Sequence, residues 1–180
     1  AVPMIVVGYT FSWLLNDQFG LINLFNPFWD EKPLIFLSPT ASQITVILVN
    51  IWKTMPFVAI LLLAGLQGVQ SELIDASKVD GANNFQVTKY IIIPAILPLA
   101  IVISILLLVS QFGNFDVIFA MTQGGPGVST QILALQIFND GMLFFKFGYA
   151  AAESVILLIF VIIISLIGTS IYSLVLKKYA

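Results

Sequence analysis

The chain has 180 residues, 59% of them hydrophobic and 9% charged, with a formal net charge of −2 and a mean hydropathy of +1.05. A soluble domain carries about 25% charged residues, and one this short cannot hide so much apolar surface, so soluble globular and disordered classes are poor fits and a membrane protein is expected. The absence of Cys and His removes disulfides, thiolate and imidazole catalysis and the usual zinc sites; every positive charge is a Lys, so Arg clamps on phosphate are absent, and without a basic run nucleic acid is not expected as a partner.

Crossing the hydrocarbon takes about 20 mostly apolar residues. Ala1–Leu15 is apolar but short, has no basic run before it, and reads as the second half of a span. The following stretch, Asn16–Gln43, is a polar connection with Asp17, Asp30, Glu31 and Lys32. A span is predicted at 44–66, although it contains Asn50, Lys53 and Pro56. Lys53 would cost about 2.5–3.5 kcal/mol at a helix centre. With Asn50 and Thr54 beside it, it either lines a translocation cavity or snorkels and pairs within the bundle.

The segment 67–90 is polar and reads as helix–turn–helix. Ser71 can cap a helix beginning at Glu72, Asp80-Gly81 signals a turn with Gly81 in the left-handed conformation, and Asn83 or Asn84 can cap a second helix. The first helix carries Glu72, Asp75 and Asp80 against Lys78, and small Ala76 and Ser77 share its apolar side. Lipid-surface helices have basic polar faces and bulky apolar ones; small residues suit close approach of another protein. Protein docking is therefore favoured.

Span 91–120 is uncharged through Val109 and is then interrupted by Ser110-Gln111-Phe112-Gly113-Asn114-Phe115-Asp116 before resuming through Ala120. With Gln111 and Asn114 spaced i, i+3 and Phe115 and Phe119 nearby, the patch offers amide, carboxylate and aromatic partners for sugar hydroxyls and ring faces. A cavity-lining role is favoured over an interfacial helix end because the helix is expected to continue. Gly124-Gly125-Pro126-Gly127 marks a turn. The last span, 150–176, has Glu153 at its edge, read as an interfacial charge. If 67–90 is cytoplasmic, then Lys78, Lys89, Lys177 and Lys178 lie inside and Lys32 and Lys146 outside, which follows the positive-inside rule and makes the C-terminus cytoplasmic.

The segment from Glu72 through Asp75-Ala76-Ser77-Lys78-Val79-Asp80-Gly81-Ala82, with Gln86 and Ile91-Ile92-Ile93-Pro94, resembles the "EAA" coupling loop of permease subunits of binding-protein-dependent ABC importers. The chain departs from that pattern in having Asp75-Ala76-Ser77 for Glu-Ala-Ala, while Asp80-Gly81-Ala82 matches fully. Trp13-Leu14-Leu15-Asn16, Ala64-Gly65-Leu66-Gln67, Phe115-Asp116, Thr122 to Pro126 and Gly148-Tyr149-Ala150-Ala151 resemble further landmarks of the carbohydrate-type, maltose/glycerol-phosphate-like subgroup, in the same order.

The resemblance implies an all-α, polytopic transmembrane bundle of the type I importer kind, missing its first two spans at the N-terminus, in a bacterial cytoplasmic membrane. It implies a non-enzymatic chain with no cofactor of its own, ATP and Mg being bound by partner ATPase subunits. A second, distinct permease subunit and an extracytoplasmic substrate-binding protein complete the expected partners. Glu72, Asp75, Ala76, Ser77, Asp80, Gly81 and Ala82 would couple to the ATPase. Asn50, Lys53, Gln111, Asn114, Phe115 and Asp116 are the candidates for the substrate path. A fragment of an ion-coupled secondary transporter is the alternative, but no repeat is visible and Glu153, the acid in the last predicted span, is at its edge.

Overall fold

The structure, a computed structural model, describes residues 2–28 and 35–179. Asp30, Glu31 and Lys32 lie outside the described residues, as do the side chains of Lys177 and Lys178. Among the described residues the chain is helical, without strands. The main helices are α1 (Met4–Leu14), α2 (Pro39–Gln67), α3 (Ser71–Val79), α4 (Asn84–Val87), α5 (Ile93–Phe112), α6 (Asp116–Met121), α7 (Leu133–Phe138) and α8 (Phe147–Tyr179). A 3-10 turn covers Leu21–Phe28, and π-helical turns at Thr88–Ile92 and Asn139–Leu143 follow α4 and α7. Three runs, Pro39–Gln67, Asn84–Phe112 and Phe147–Leu174, are long and apolar enough to cross a bilayer.

The chain divides into two compact units. In one, Ala1–Thr54 with Gln111–Ile159, the core is built from Val7 of α1, Val46 and Val49 of α2, Val117, Ile118 and Met121 of α6, and Leu135 of α7. Ser42, Val46 and Val49 recur at helical spacing, so α2 turns one stripe inward. Helices α1 and α6 meet at Gly8, where an added Cβ would lie 2.6 Å from Ala120 Cβ and 3.3 Å from the Val117 backbone. The chain entering α2 is tied down by Asp17 Oδ1, which accepts from Ile35 N at 3.0 Å, and by the fully buried Ser42, whose hydroxyl donates to Ile35 O at 2.8 Å.

The other unit, Met55–Ser110 with Phe160–Ala180, holds the helical hairpin and the adjoining parts of the long helices α2, α5 and α8. Gly65 of α2 abuts Leu99 of α5, and an added Cβ at Gly168 of α8 would lie 2.7 Å from Ile105 Cγ1. Small residues at these crossings allow helices to approach closely where lipid supplies no hydrophobic drive.

Four expectations change. The continuous span at 91–120 is broken: α5 ends at Phe112, Gly113–Phe115 are non-helical, and α6 restarts as a separate short helix. Glycine and asparagine are poor helix formers, and packing α6 on α1 supplies the burial that a longer lipid-facing helix would lack. After the span at 91–120, where only the Gly124-Gly125-Pro126-Gly127 turn was expected, the chain also forms α7 and its π turn. The helix at 71 starts on Ser71 itself, with Gln70 extended at the N-cap and no side-chain cap bond. Glu153, expected only as a charge at the edge of the last span, is buried and hydrogen-bonded to Gln136 of α7.

Candidate functional site

Two groups of polar residues stand out, one in each unit. The first is the hairpin α3–α4. Helix α3 ends in a Schellman arrangement: Gly81 N donates to Lys78 O at 3.0 Å and Ala82 N to Ser77 O at 2.9 Å. Gly81 takes φ +86°, a conformation that costs other L-residues about 1–2 kcal/mol. Two residues later Asn83 opens α4 with a reciprocal capping box. Gln86 N donates to Asn83 Oδ1 at 2.9 Å, and Asn83 N donates to Gln86 Oε1 at 2.8 Å. The turn between the helices is therefore held by four hydrogen bonds between Ser77 and Gln86.

Helix α3 has no buried residue. Glu72, Asp75, Ala76, Asp80 and Gly81 are exposed, and Val79 is 88% exposed. Ser77 and Ala82 are half-buried and, with Asp80, Gly81, Gln86 and Tyr90, line a hollow of about 350 Å³ beside the turn. On the second helix Val87 is buried, and Lys89 Nζ sits 5.4 Å from the Tyr90 ring centre and 5.9 Å from that of Phe85. The hairpin is thus rigid in its turn and open on its acidic, small-residue side.

The second group follows the break after α5. Gln111 is in the last turn of α5, Asn114 lies in the non-helical segment, and Asp116 is the first residue of α6, where a carboxylate suits the helix dipole. Gln111 and Asn114 therefore do not share a helix face; instead Asn114 N donates to Gln111 O at 3.2 Å. Phe115 meets a residue the sequence did not single out, Phe138 of α7, at 5.1 Å between ring centres. Phe119 lies 5.3 Å from the same ring. The three half-buried rings form one aromatic wall beside the polar segment. The six-residue run Leu133–Phe138 is too short for its periodicity to announce this contact.

On α2, Asn50 and Lys53 are half-buried, and no ion pair reaches Lys53 among the described residues. Asn50 Oδ1 and Thr54 Oγ1, one turn apart, are buried without a hydrogen-bond partner among the described residues. A buried unsatisfied polar atom costs about 1–3 kcal/mol, which helices meant only to face lipid avoid.

A third polar contact was also missed. Glu153 of α8, 8% exposed, accepts from Gln136 Nε2 of α7 at 2.7 Å. The loop between α6 and α7 is stapled by a Thr122–Thr130 hydroxyl pair at 2.6 Å and by Thr130 Oγ1 donating to Gly125 O at 2.9 Å. It is tied to α2 by Gln43 Nε2, which donates to Ser129 O at 2.6 Å. Residues 17 and 86 positions apart carry no local signal of such pairing.

Comparison with known proteins gives these features a setting. The trehalose/maltose transport system permease protein MalF of Thermococcus litoralis is 34% identical over 167 residues, covering 92% of this chain and 55% of its own length. The sulfoquinovosyl glycerol transport system permease protein SmoG of Agrobacterium fabrum is 34% identical over 158 residues, covering 87% of this chain and 51% of its own. The chain thus spans about half the length of the curated relatives it matches. Its fold is that of a chain in the crystal structure of a bacterial ABC transporter involved in the import of the acidic polysaccharide alginate. That similarity has a TM-score of 0.83 at 21% identity and covers 96% of this chain and 61% of that one. The family model described as binding-protein-dependent transport system inner membrane component matches residues 1–179. The chain belongs to this family of multi-pass inner-membrane transport components.

Proposed function

We propose that the chain is the translocation part of a permease subunit in an ATP-driven importer of sugars or related solutes. The observation that carries this reading is the exposed hairpin α3–α4 with its Asp80-Gly81-Ala82 turn, which leads from one run long and apolar enough to cross a membrane into the next in a member of this family. The names of the relatives, which concern trehalose, maltose and a sulfoquinovosyl glycerol, support a carbohydrate solute.

In this reading Glu72, Asp75, Ala76, Ser77, Asp80, Gly81 and Ala82 form the surface that docks on a separate cytoplasmic ATPase subunit. That subunit binds ATP and Mg, and this chain carries out no catalytic step. Asp75 offers charge, Ala76 a close-contact point, and the hydrogen-bonded turn at Gly81 the stiffness a lever needs. A lever transmits only if the two conformations it links differ in their contacts with the ATPase, so that ATP binding shifts their balance. The buried atoms of Asn50 and Thr54 that have no hydrogen-bond partner among the described residues, together with Lys53, support a polar path along α2. Gln111, Asn114 and Asp116 would supply hydrogen-bond partners beside the aromatic wall of Phe115, Phe119 and Phe138. A second, distinct permease subunit and an extracytoplasmic binding protein complete the path. With 67–90 cytoplasmic, the C-terminus is cytoplasmic too.

The test is reconstitution of the full-length subunit with the ATPase, partner permease and binding protein that co-purify with it. Uptake of a sugar that requires ATP, Mg and the binding protein is expected. Uptake driven by a proton or sodium gradient without the ATPase would overturn the proposal.

A further inference from the structure

The turn that joins the π-helical segment after α7 to α8 displays an unusual set of side chains. Within Met142–Tyr149, Met142, Leu143, Phe144, Phe145, Phe147 and Tyr149 are each between 55% and 71% exposed. Lys146 is exposed among them, with Nζ 5.2 Å from the Phe144 ring centre and 3.3 Å from Asp140 Oδ1.

This display is held in place by the backbone. Phe144 N donates to Asn139 O at 2.9 Å, Lys146 N to Asp140 O at 2.7 Å, and Tyr149 N to Lys146 O at 3.0 Å. Phe145 takes φ +56°, which reverses the chain between the two helices. Phe145 and Phe147 then meet edge to face at 6.1 Å. A stapled turn therefore holds six large apolar side chains away from the core around one cation. Water is a poor solvent for such a surface, since exposed apolar patches of this kind mark interaction sites.

The length of α8 supplies the address. A bilayer with its headgroup layers is about 40–45 Å thick, or about 27–30 helical residues. Counting that many back from Lys177-Lys178, basic residues suited to one headgroup layer, reaches the Phe147–Ala151 region at the other. Aromatic rings with a polar or cationic neighbour favour that layer, where one end is apolar and the other wet. The apolar surface is also spread over consecutive residues of a turn, rather than along one helix stripe as docking to another helix requires.

We infer that the Met142–Tyr149 turn is a lipid anchor: its rings seat in the headgroup layer at the start of α8, with Lys146 directed to lipid phosphates. The inference rests on α8 spanning the membrane. By fixing the start of α8, the anchor gives the Gln136–Glu153 contact between α7 and α8 a set depth in the bilayer.

The chain has no native Cys, so a nitroxide can be placed at Phe147→Cys in the assembled transporter. Any cysteines elsewhere in the full-length subunit and in its partner subunits are replaced, and the complex is reconstituted in phosphatidylcholine with phosphatidylglycerol. Membrane-soluble oxygen is expected to relax the label more strongly than a water-soluble nickel chelate, at a depth shallower than a label at Ile159→Cys in the same helix. Tyr149→Cys is expected to behave like position 147. Relaxation of the Phe147→Cys label mainly by the nickel chelate, as for an aqueous surface, would overturn the anchor. So would protection from both reagents, as for a surface covered by another protein. A label at Ile159→Cys open to the nickel chelate would instead overturn the spanning assignment on which the anchor rests.

Discussion

The chemistry of the hairpin is concentrated in two residues, Gly81 and Asn83. Proline cannot reach φ +86°, so Gly81→Pro removes the Schellman turn as well as the left-handed residue. In proteoliposomes containing the assembled transporter, this variant is expected to retain ATP hydrolysis and lose solute uptake; uptake at the wild-type rate would count against the coupling role. Gly81→Ala, which meets no neighbouring atom, carries only the backbone cost of about 1–2 kcal/mol and is expected to fall between the two. Asn83→Ala removes the cap from Gln86 N and costs about 1 kcal/mol of local stability. Hydrogen exchange at the amides of Gln86 and Val87, which bond to Asn83, should accelerate about fivefold, the factor that energy implies, while amides in α5 stay unchanged. Asp116 calls for a charge-preserving contrast. Asp116→Ala should alter solute uptake with basal ATP hydrolysis retained, and Asp116→Glu should recover most of it; an unchanged substrate profile in both would leave Asp116 as a helix-dipole residue alone.

Helix pairs tell a different story, because their contacts join segments far apart in sequence. Gly8 belongs to α1 and Ala120 to α6, and the two helices touch where neither has room for another methyl group. Gly8→Val is expected to destabilise this unit by about 1–3 kcal/mol, read as a lower thermal transition in detergent. Pairing Gly8→Ala with Ala120→Gly should recover more stability than the two single effects sum to, and strict additivity would show that the helices do not meet there. The Gln136–Glu153 bond links α7 to α8 in the same way. Glu153→Ala leaves the Gln136 amide short of an acceptor, at a cost of about 1–3 kcal/mol; Glu153→Ala with Gln136→Ala should cost less than the sum of the two single variants. The break between α5 and α6 belongs at this scale too. Gly113-Asn114 weakens the helix, but the gain from packing α6 against α1 decides that the chain stops there rather than kinking and continuing.

At the scale of the whole molecule, the membrane class, the three long apolar helices, the acidic hairpin and its Gly81 turn were legible in the sequence, since each rests on local composition or on interactions a few residues apart. Hydropathy over 20 residues reports burial in lipid directly, and a Schellman turn or capping box is closed by residues at most five positions apart. Within the polar patch, Gln111, Asn114, Phe115 and Asp116 were visible as a departure from apolar composition, but their arrangement was not: a helical i, i+3 pair was expected and a non-helical corner is found. Phe138 as the third ring of the wall, Glu153 as the partner of Gln136 and the Gln43 tether to Ser129 were out of reach, because each joins segments that only folding brings together. The sequence by itself thus determined which segments favour lipid and where the hairpin turns, since those energies are local. Tertiary structure alone decided which polar residues are buried and with what partner, because in lipid a polar side chain must find a distant hydrogen-bond partner or pay for its absence, and nothing in one segment specifies the other.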